Sequence, residues 1–551
     1  RARAACDLLR GPPKPAAAAD SGSAAAAAFV GGFYRASRLH FIGSWRTRFE
    51  ALAARLHIED DERGGGVGEL GRHPVAAASA PPPPPPAAGG GRAERFVVHL
   101  DMDCFFASVS LSRAPAFRGR PLVVCHSSPG AGERPKGRAE RRGGGDGGSG
   151  GASGGGDRGG GEDDQFAGGE VACPCYLARS FGIRAGMGVA AARRLCPRLV
   201  TLPYDFEGYA RASDAMYRVL LRCGRRVQPL SVDEALVDAS GMSVEQAAAL
   251  AAALRRAVFE ATGGCAASCG VGPNPLLARL ATRQAKPDGL KVLSSFREAE
   301  ELLLTLPCDA LPGVGWSSRA RLEAAGLRSV AEVRAAGKEA LAAALAGASS
   351  SGAGTSSSSS NSSNCNSHLN ATVQALWDAA HGRDARTVVP LQPRRSVGAE
   401  CNWGVRFRDA AGGGRADAAG FLLRLSLDLA RRLRCAGALP GALTLKVKVR
   451  RAGAGLPRKY LGHGVCDAFS KTAAVAMAAA CEKGGGGKAG GGEAGDGKDA
   501  DDALASRLAS VGRGLLQSLN PKPEDIRGIG LVASKLVPVG GAARAATATA
   551  A

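Results

Sequence analysis

The chain alternates between segments with ordered apolar spacing and long stretches with none. The first patterned segment runs from Phe29 to about Ile58. In its second half Trp45, Phe49, Leu52 and Leu56 recur at helical spacing, which predicts one amphipathic helix. Phe96 to Leu100 is a short apolar run, the pattern of a buried strand, and the residues after Asp103 turn helical. In PLSVDEALVD (229–238) Asp233 and Glu234 lie between two short apolar stretches, as at a hairpin tip. CYLARSFGIRAGM (175–187) reads as helix-like and carries Tyr176, Arg179 and Arg184. GVGPNPLLARLATRQAKPDG (270–289) predicts a turn and then a helix ending at Lys286-Pro287.

The unpatterned stretches are Gly-, Ala-, Pro- or Ser-rich and cannot build a core. Residues 1–28 are expected to be disordered, and 61–94, with a Gly run and a six-Pro run, to be a linker. Gly-rich insertions are expected at 129–169 and 483–502, a Ser/Asn tract at 347–371, and a tail at 541–551. The folded blocks are then 29–60, 95–127 with 170–305, 306–385 and 390–540. No repeat of fixed period is present.

Composition changes the picture in three ways. Net charge is +21 and pI about 9.7, which suits a polyanionic partner bound in a salt-dependent way. A general Arg-rich bias of the source genome would give the same balance. The 15 Cys show no metal-finger spacing: Cys173-Pro174-Cys175 is too tight, and Cys265 and Cys269 have no matching second pair. Buried reduced thiols in a nuclear or cytosolic protein are expected. No apolar stretch reaches membrane-spanning length, which argues against a membrane enzyme. There is no signal-peptide pattern, and the initial Arg1 is what a fragment of a longer product would have.

Candidate chemistry starts with carboxylates. Asp101 and Asp103 follow the predicted strand two residues apart, so in extended chain they share a face. With nearby backbone carbonyls they form a hard oxygen site suited to Mg2+. Asp233 and Glu234 are a second acidic cluster on a strand end. Each cluster alone reads equally as a solvated turn. Together they can supply three carboxylates to a two-metal centre, which would activate a 3′ hydroxyl and neutralise charge on a leaving pyrophosphate. Arg179 can grip a triphosphate bidentately, and Lys286 is a point charge for its outer phosphates. Read singly, either is an ordinary surface charge.

DMDCFFASV, YLARSFGIRAGM, SVDEALVD and GVGPNPLLARLATRQAKPDG resemble, in family order, the palm and finger motifs of Y-family translesion DNA polymerases. LPGVG (311–315) resembles the thumb-entry helix-hairpin-helix. The resemblance implies an α+β multidomain right hand. Its parts would be a ferredoxin-like palm with helices on one face, small fingers (both in 95–127 and 170–305), a helical thumb (306–385) and an α/β little-finger domain (390–540). It also implies that Asp101, Asp233 and Glu234 are catalytic, and that they hold two Mg2+ ions (or Mn2+) together with the Met102 carbonyl. Asp103 would be structural, beside the nucleotide. Cys104, Phe105 and Phe106 would line the nucleotide, Phe106 as a gate against a ribose 2′ hydroxyl. Tyr176, Arg179 and Lys286 would hold the triphosphate.

SRLHFIGSW (37–45), PYDFEGY (203–209), RRSVGAECNWGVRF (394–407), KYLGHGVCD (459–467) and DIRGIGLVASKL (525–536) resemble one branch, the deoxycytidyl (dCMP) transferases of the reversionless (REV) type. That branch uses a protein arginine as template, which here would be Arg38 in the 29–60 extension, with Leu39 filling the space of the evicted template base. Cytosine offers O2 and N3 as adjacent acceptors to a guanidinium, whereas thymine presents its own N3–H there. The implied function is dCMP transfer from dCTP to a primer 3′ end opposite template G, abasic sites or damaged guanine. Ser37, His40, Arg394, Arg395 and Ser396 would touch DNA. Implied partners are primer-template DNA, dCTP, other translesion polymerases and the sliding clamp, in the nucleus; short basic runs such as Arg138 to Arg142 are weak signals for it. The chain departs from the family at Pro174 and Cys175, at Ala185, and at His40-Phe41, where a second His is common. Flanking BRCT and helical-bundle modules are not legible. Two other functions fit parts of the pattern: a template-reading bypass polymerase of another branch, and a non-catalytic DNA-binding scaffold.

Overall fold

The computed structural model describes residues 37–62, 95–126, 169–346, 362–392, 394–402, 405–407, 418–455, 462–475 and 496–539. The stretch 1–28, the linker from 63, most of the two Gly-rich insertions and the 541–551 tail lie outside these residues. Helix α1 (Arg38–Glu62) is entered through Ser37, whose hydroxyl accepts the His40 amide at 3.2 Å. Its apolar stripe is Phe41, Phe49, Leu52 and Leu56, all buried in the core that also holds the palm and fingers. Each such side chain contributes about 1.5–3 kcal/mol by leaving water. The N-terminal segment is therefore packed into the same core as the strands and helices that follow it.

The palm begins with β1 (Val97–Met102), then α2 (Phe105–Arg113). The fingers hold β2 (Leu122–Cys125), β3 (Val171–Pro174), α3 (Tyr176–Ser180), α4 (Val189–Leu195) and β4 (Val200–Leu202) in a sheet of order β3-β2-β4. The palm resumes with α5 (Phe206–Leu221), β5 (Val227–Pro229), β6 (Glu234–Asp238), α6 (Val244–Ala261), β7 (Ala267–Gly272), α7 (Pro275–Ala285) and β8 (Leu290–Val292). Local signals explain the helix starts. Asp205 caps α5, Ser243 and Gln246 form a capping box on α6, and Asn274 caps α7 with Pro275 in its first turn.

The palm sheet has the order β5-β6-β1-β7-β8, with β1 antiparallel to β6 and β7. Strand alternation puts Val98, Leu100 and Met102 in the main core with α6 residues such as Leu250 and Leu254. Val97 faces the other way, with Leu236 and Ala278 of α7. Helices thus cover both faces, which corrects the expectation of one. Gly270 permits this: a Cβ there would lie 2.2 Å from the Ala278 carbonyl oxygen.

The thumb comprises α8 (Phe296–Thr305), α9 (Trp316–Ala324), α10 (Val330–Ala346) and α11 (Ser362–Ala380). Its core takes in Ala299 and Leu303, before residue 306, and Leu277 and Leu280 of α7. The little finger is a sheet of order β11-β10-β12-β9, built from β9 (Ser396–Cys401), β10 (Ala438–Arg450), β11 (Cys466–Ala474) and β12 (Ile526–Pro538). It is backed by α12 (Ala418–Cys435) and α13 (Asp496–Leu519). Helices α11 and α13 begin inside stretches expected to lack structure, at Ser362 and Asp496. Helix α3 is shorter than expected. Gly182, at φ +80°, turns the chain back and leaves Arg184 outside any helix.

Candidate active site

Strand pairing builds the acidic centre. Asp101 on β1 is the cross-strand partner of Glu234, the first residue of β6, and the Met102 amide donates to the Asp233 carbonyl at 3.0 Å. Asp233 sits in the turn between β5 and β6, as its hairpin-tip pattern predicts. The three carboxylates are half-buried. Burial raises the Asp101 carboxyl, against the pull of Lys286. Burial and the neighbouring Asp101 charge push Asp233 up to about 6. Burial would also raise Glu234, but His99 and Arg279 outweigh it and hold that carboxyl below its ordinary value.

Asp103 opens the turn after β1 but stays on the side of Asp101, since it bonds Ser268, the cross-strand partner of Asp101. Its buried carboxylate accepts from Ser268 Oγ, at 2.9 and 3.0 Å, from Tyr176 Oη at 2.9 Å and from the Asp288 amide at 2.6 Å. It therefore ties the finger entry to β7 and to the turn after α7. Lys286, the C-terminal cap of α7, places Nζ 2.7 Å from Asp101 Oδ1 and 3.7 Å from Asp103 Oδ1. Arg179 stacks over the Tyr176 ring at 5.0 Å, donates to the Pro174 carbonyl at 3.1 Å, and is exposed. Tyr176 and Lys286 are thus joined through Asp103, with Arg179 stacked on Tyr176.

Cys104 starts α2 in the left-handed region, φ 35°, a conformation that costs energy for a residue with a side chain. It sets Phe105 and Phe106 inward. Both rings are buried, and Phe106 stacks on Tyr209 at 4.4 Å and meets Phe41 edge-on at 6.2 Å. Cys175 caps α3, its sulfur accepting the Ala178 amide at 3.4 Å, the role a small polar residue would otherwise take. Cys125, Cys175, Cys196, Cys223, Cys265, Cys269 and Cys308 are buried thiols.

At the start of α1, Arg38 Nη1 donates to the Ala172 carbonyl of β3 at 3.1 Å. Arg38 therefore reaches the fingers strand β3, whose C-terminal end leads into α3 with Tyr176 and Arg179. Leu39 is 71% exposed beside it. His40 Nδ1 lies 2.9 Å from Arg432 Nη2 of α12, and burial first, then Arg432, lowers its pKa to about 4. Arg394 is engaged by α1 through Glu50 and Thr47, while Arg395 and Ser396 are exposed.

Sequence reasoning missed His99 and Arg279, which contact Glu234, and Thr282, which holds the far side of the His99 ring. His99 interrupts the apolar run before Asp101, and that polar break was the available signal. Glu50 and Arg432 gave none, since their roles depend on pairing across domains.

The donor set fits a hard divalent cation. Asp101, Asp233 and Glu234 offer oxygen donors on neighbouring strand ends, and the rise at Asp233, from burial and then from the Asp101 charge, is one that such an ion would relieve. Among the described residues, no three His, Cys, Asp or Glu side chains already converge as a metal cluster. Lys286 holds Asp101 instead, and His99 with Arg279 holds Glu234. Among those residues, too, no helix is long and apolar enough to cross a membrane.

Residues 100–283 match the model of the impB/mucB/samB family. The chain is 31% identical over 92% of its length to the DNA repair protein REV1 of Arabidopsis thaliana, and 30% identical over 92% to DNA repair protein Rev1 of Drosophila melanogaster. It spans 37% and 46% of those two proteins, less than half of each. A DNA polymerase IV of Halorhodospira halophila is 33% identical over 57% of this chain and 71% of its own. A solved Y-family DNA polymerase chimera of Dbh and Dpo4 shares the fold at TM-score 0.51 and 20% identity, over 80% of this chain and 99% of its own. The paired-strand acidic centre, the four-part architecture and an identity of this level across most of a bacterial polymerase lead to one assignment: the chain belongs to the Y family of DNA polymerases.

Proposed function

We propose that this chain carries out translesion DNA synthesis as a dCMP transferase, adding dCMP from dCTP to a primer 3′ end opposite template G, abasic sites or damaged guanine. The observation that carries the polymerase reading is the cross-strand pairing of Asp101 with Glu234, with Asp233 beside them. Asp101, Asp233, Glu234 and the Met102 carbonyl would hold Mg2+ or Mn2+, which would supply charge neutralisation during phosphoryl transfer. Lys286, Arg179 and Tyr176 then bind and orient the triphosphate. Lys286 exchanges its Asp101 contact for phosphate oxygens, and Tyr176 is kept in place by Asp103. Phe106, fixed against Tyr209, closes the sugar side.

The choice of dCTP is assigned to Arg38. Its contact with the Ala172 carbonyl supports this reading, because it anchors the guanidinium on the fingers strand next to Cys173. Two parallel N–H donors match cytosine O2 and N3. Thymine loses one bond and buries an unpaired donor, at a cost of about 1–3 kcal/mol. Leu39, exposed beside Arg38, is suited to fill the place of an evicted template base. The REV1 relatives are DNA repair proteins by name, which supports the repair role and, with it, action in the nucleus.

Single-nucleotide insertion opposite each template base, with wild type and Arg38→Ala, tests the proposal. Wild type should prefer dCTP opposite G and abasic sites, and the variant should lose that preference while keeping some polymerisation. An unchanged preference for dCTP in the variant would remove the arginine-template reading. Equal use of each matching nucleotide by wild type would favour a template-reading bypass polymerase.

A further inference from the structure

His99 is buried to 1% exposure on β1, two residues before Asp101. Its ring bridges two side chains. Nδ1 lies 2.8 Å from Thr282 Oγ1 on α7, and Nε2 lies 2.8 Å from Glu234 Oε1. The Thr282 hydroxyl has one hydrogen and three acceptors within reach: His99 Nδ1, the His99 carbonyl at 3.1 Å and the Ala278 carbonyl at 3.0 Å. If the hydrogen goes to Nδ1, the neutral ring carries its proton on Nε2. If it goes to a carbonyl, Nδ1–H must donate to Thr282. The short contact of Nε2 with a carboxylate oxygen then requires a proton on Nε2 as well. Either assignment aims an N–H at Glu234 Oε1.

Arg279 Nη2 reaches the same oxygen at 2.9 Å. Two donors from the α7 side thus converge on Oε1. A carboxylate held through one oxygen by two donors loses rotation about its last torsion and presents its other oxygen in a fixed direction. Asp101 lacks such a brace, its contact being a lysine on a long flexible stem.

We infer that His99, locked by Thr282, is a positioning residue that orients the Glu234 carboxylate for a divalent cation. This rests on the metal-dependent reading above. A buried histidine with only a packing role would affect folding but not ion affinity. Partners that orient metal ligands change affinity when removed, typically ten-fold or more.

The test is Mn2+ binding followed by EPR, on the full chain with dCTP and a dideoxy-terminated primer-template, so that no turnover enters the readout. Wild type should bind Mn2+; if it does not, the metal-dependent reading fails. His99→Leu should weaken Mn2+ binding about ten-fold. His99→Gln, whose amide can still donate toward Glu234, should recover most of the loss. Thr282→Val, which frees the ring and leaves it in place, should fall between, and it serves as the measurement if His99→Leu does not fold. Wild-type Mn2+ affinity in a folded His99→Leu protein, or in Thr282→Val should the leucine variant not fold, would overturn the inference while leaving the metal-dependent reading intact.

Discussion

Glu50 of α1 accepts Arg394 through both carboxylate oxygens, each 2.9 Å from Nε, and Arg394 Nη2 adds a 2.7 Å bond to Thr47 Oγ1. Arg394 lies just before β9, so this pair joins the N-terminal helix to the little finger. A second tie runs nearby: Arg432 of α12 contacts His40 at 2.9 Å, its own-helix Asp428 at 2.6 Å and the Gly398 carbonyl at 2.7 Å. The helix whose first residue is Arg38 is therefore held by the palm on its apolar face and by the little finger on its polar one. Arg394, expected on sequence grounds to touch DNA, also positions α1.

Removing either partner of the Glu50–Arg394 pair should destabilise the protein. The side chains are only 21% and 12% exposed, so the abandoned charge is left largely out of water. Glu50→Gln and Arg394→Gln should each cost about 1–3 kcal/mol, and the double variant less than their sum. Urea unfolding of all four proteins measures this. Strictly additive losses would mean that the pair contributes nothing jointly.

Acidification should loosen the same junction. His40 has a folded pKa near 4, set by burial and then by Arg432, against an ordinary value of 6.5. Between those values the unfolded chain binds the proton and the folded one does not. Stability from this group is therefore complete above about pH 6.5 and is lost as pH falls toward 4. The melting temperature of wild type should fall across that window more steeply than that of His40→Gln. Parallel curves would exclude His40 as a contributor.

Much of this could be read from the chain, and what could not has definite causes. The 3.6-residue spacing of Trp45, Phe49 and Leu52 predicts α1, and the hairpin pattern around Asp233 and Glu234 predicts their display, because both are set by local periodicity. The two-residue spacing of Asp101 and Asp103 also places both on one side of the sheet, although β1 stops at Met102, since Asp103 bonds Ser268 opposite Asp101. Helices on both palm faces were hidden because the enabling residue, Gly270, marks an absence of side chain rather than a pattern. The partners of Arg394 and His40 were hidden because they lie more than three hundred residues away in the chain.

Gly270 makes a steric prediction. A methyl group there would meet the Ala278 carbonyl oxygen at 2.2 Å and the Thr282 amide nitrogen at 2.3 Å, both backbone atoms that cannot rotate aside. Gly270→Ala must push α7 off the sheet, and with it Lys286, Arg279 and Thr282. A loss of about 3 kcal/mol is expected, with falling nucleotide affinity. Thermal melts and dCTP titration should both register it. A variant with wild-type stability would mean that α7 packs less closely than these distances require.

The acidic centre trades stability for chemistry. Asp233 is raised to about 6 by burial and by Asp101, above the ordinary carboxyl value of 3.8. With the folded pKa above the unfolded one, the favourable contribution is full below about pH 4 and is lost as pH rises through 6. At neutral pH the ion-free fold thus carries a strained carboxylate. Asp233→Asn keeps the shape and can still bond Ser231, but removes the charge. Without divalent ions at pH 7 it should melt higher than wild type, by the equivalent of roughly 1–3 kcal/mol, and lose polymerase activity. Added Mg2+ should raise the melting temperature of wild type and have little effect on the variant, so the two curves should approach each other. If Asp233→Asn is less stable than wild type in EDTA, the crowding is compensated by another group, and the stability cost assigned to Asp233 does not exist.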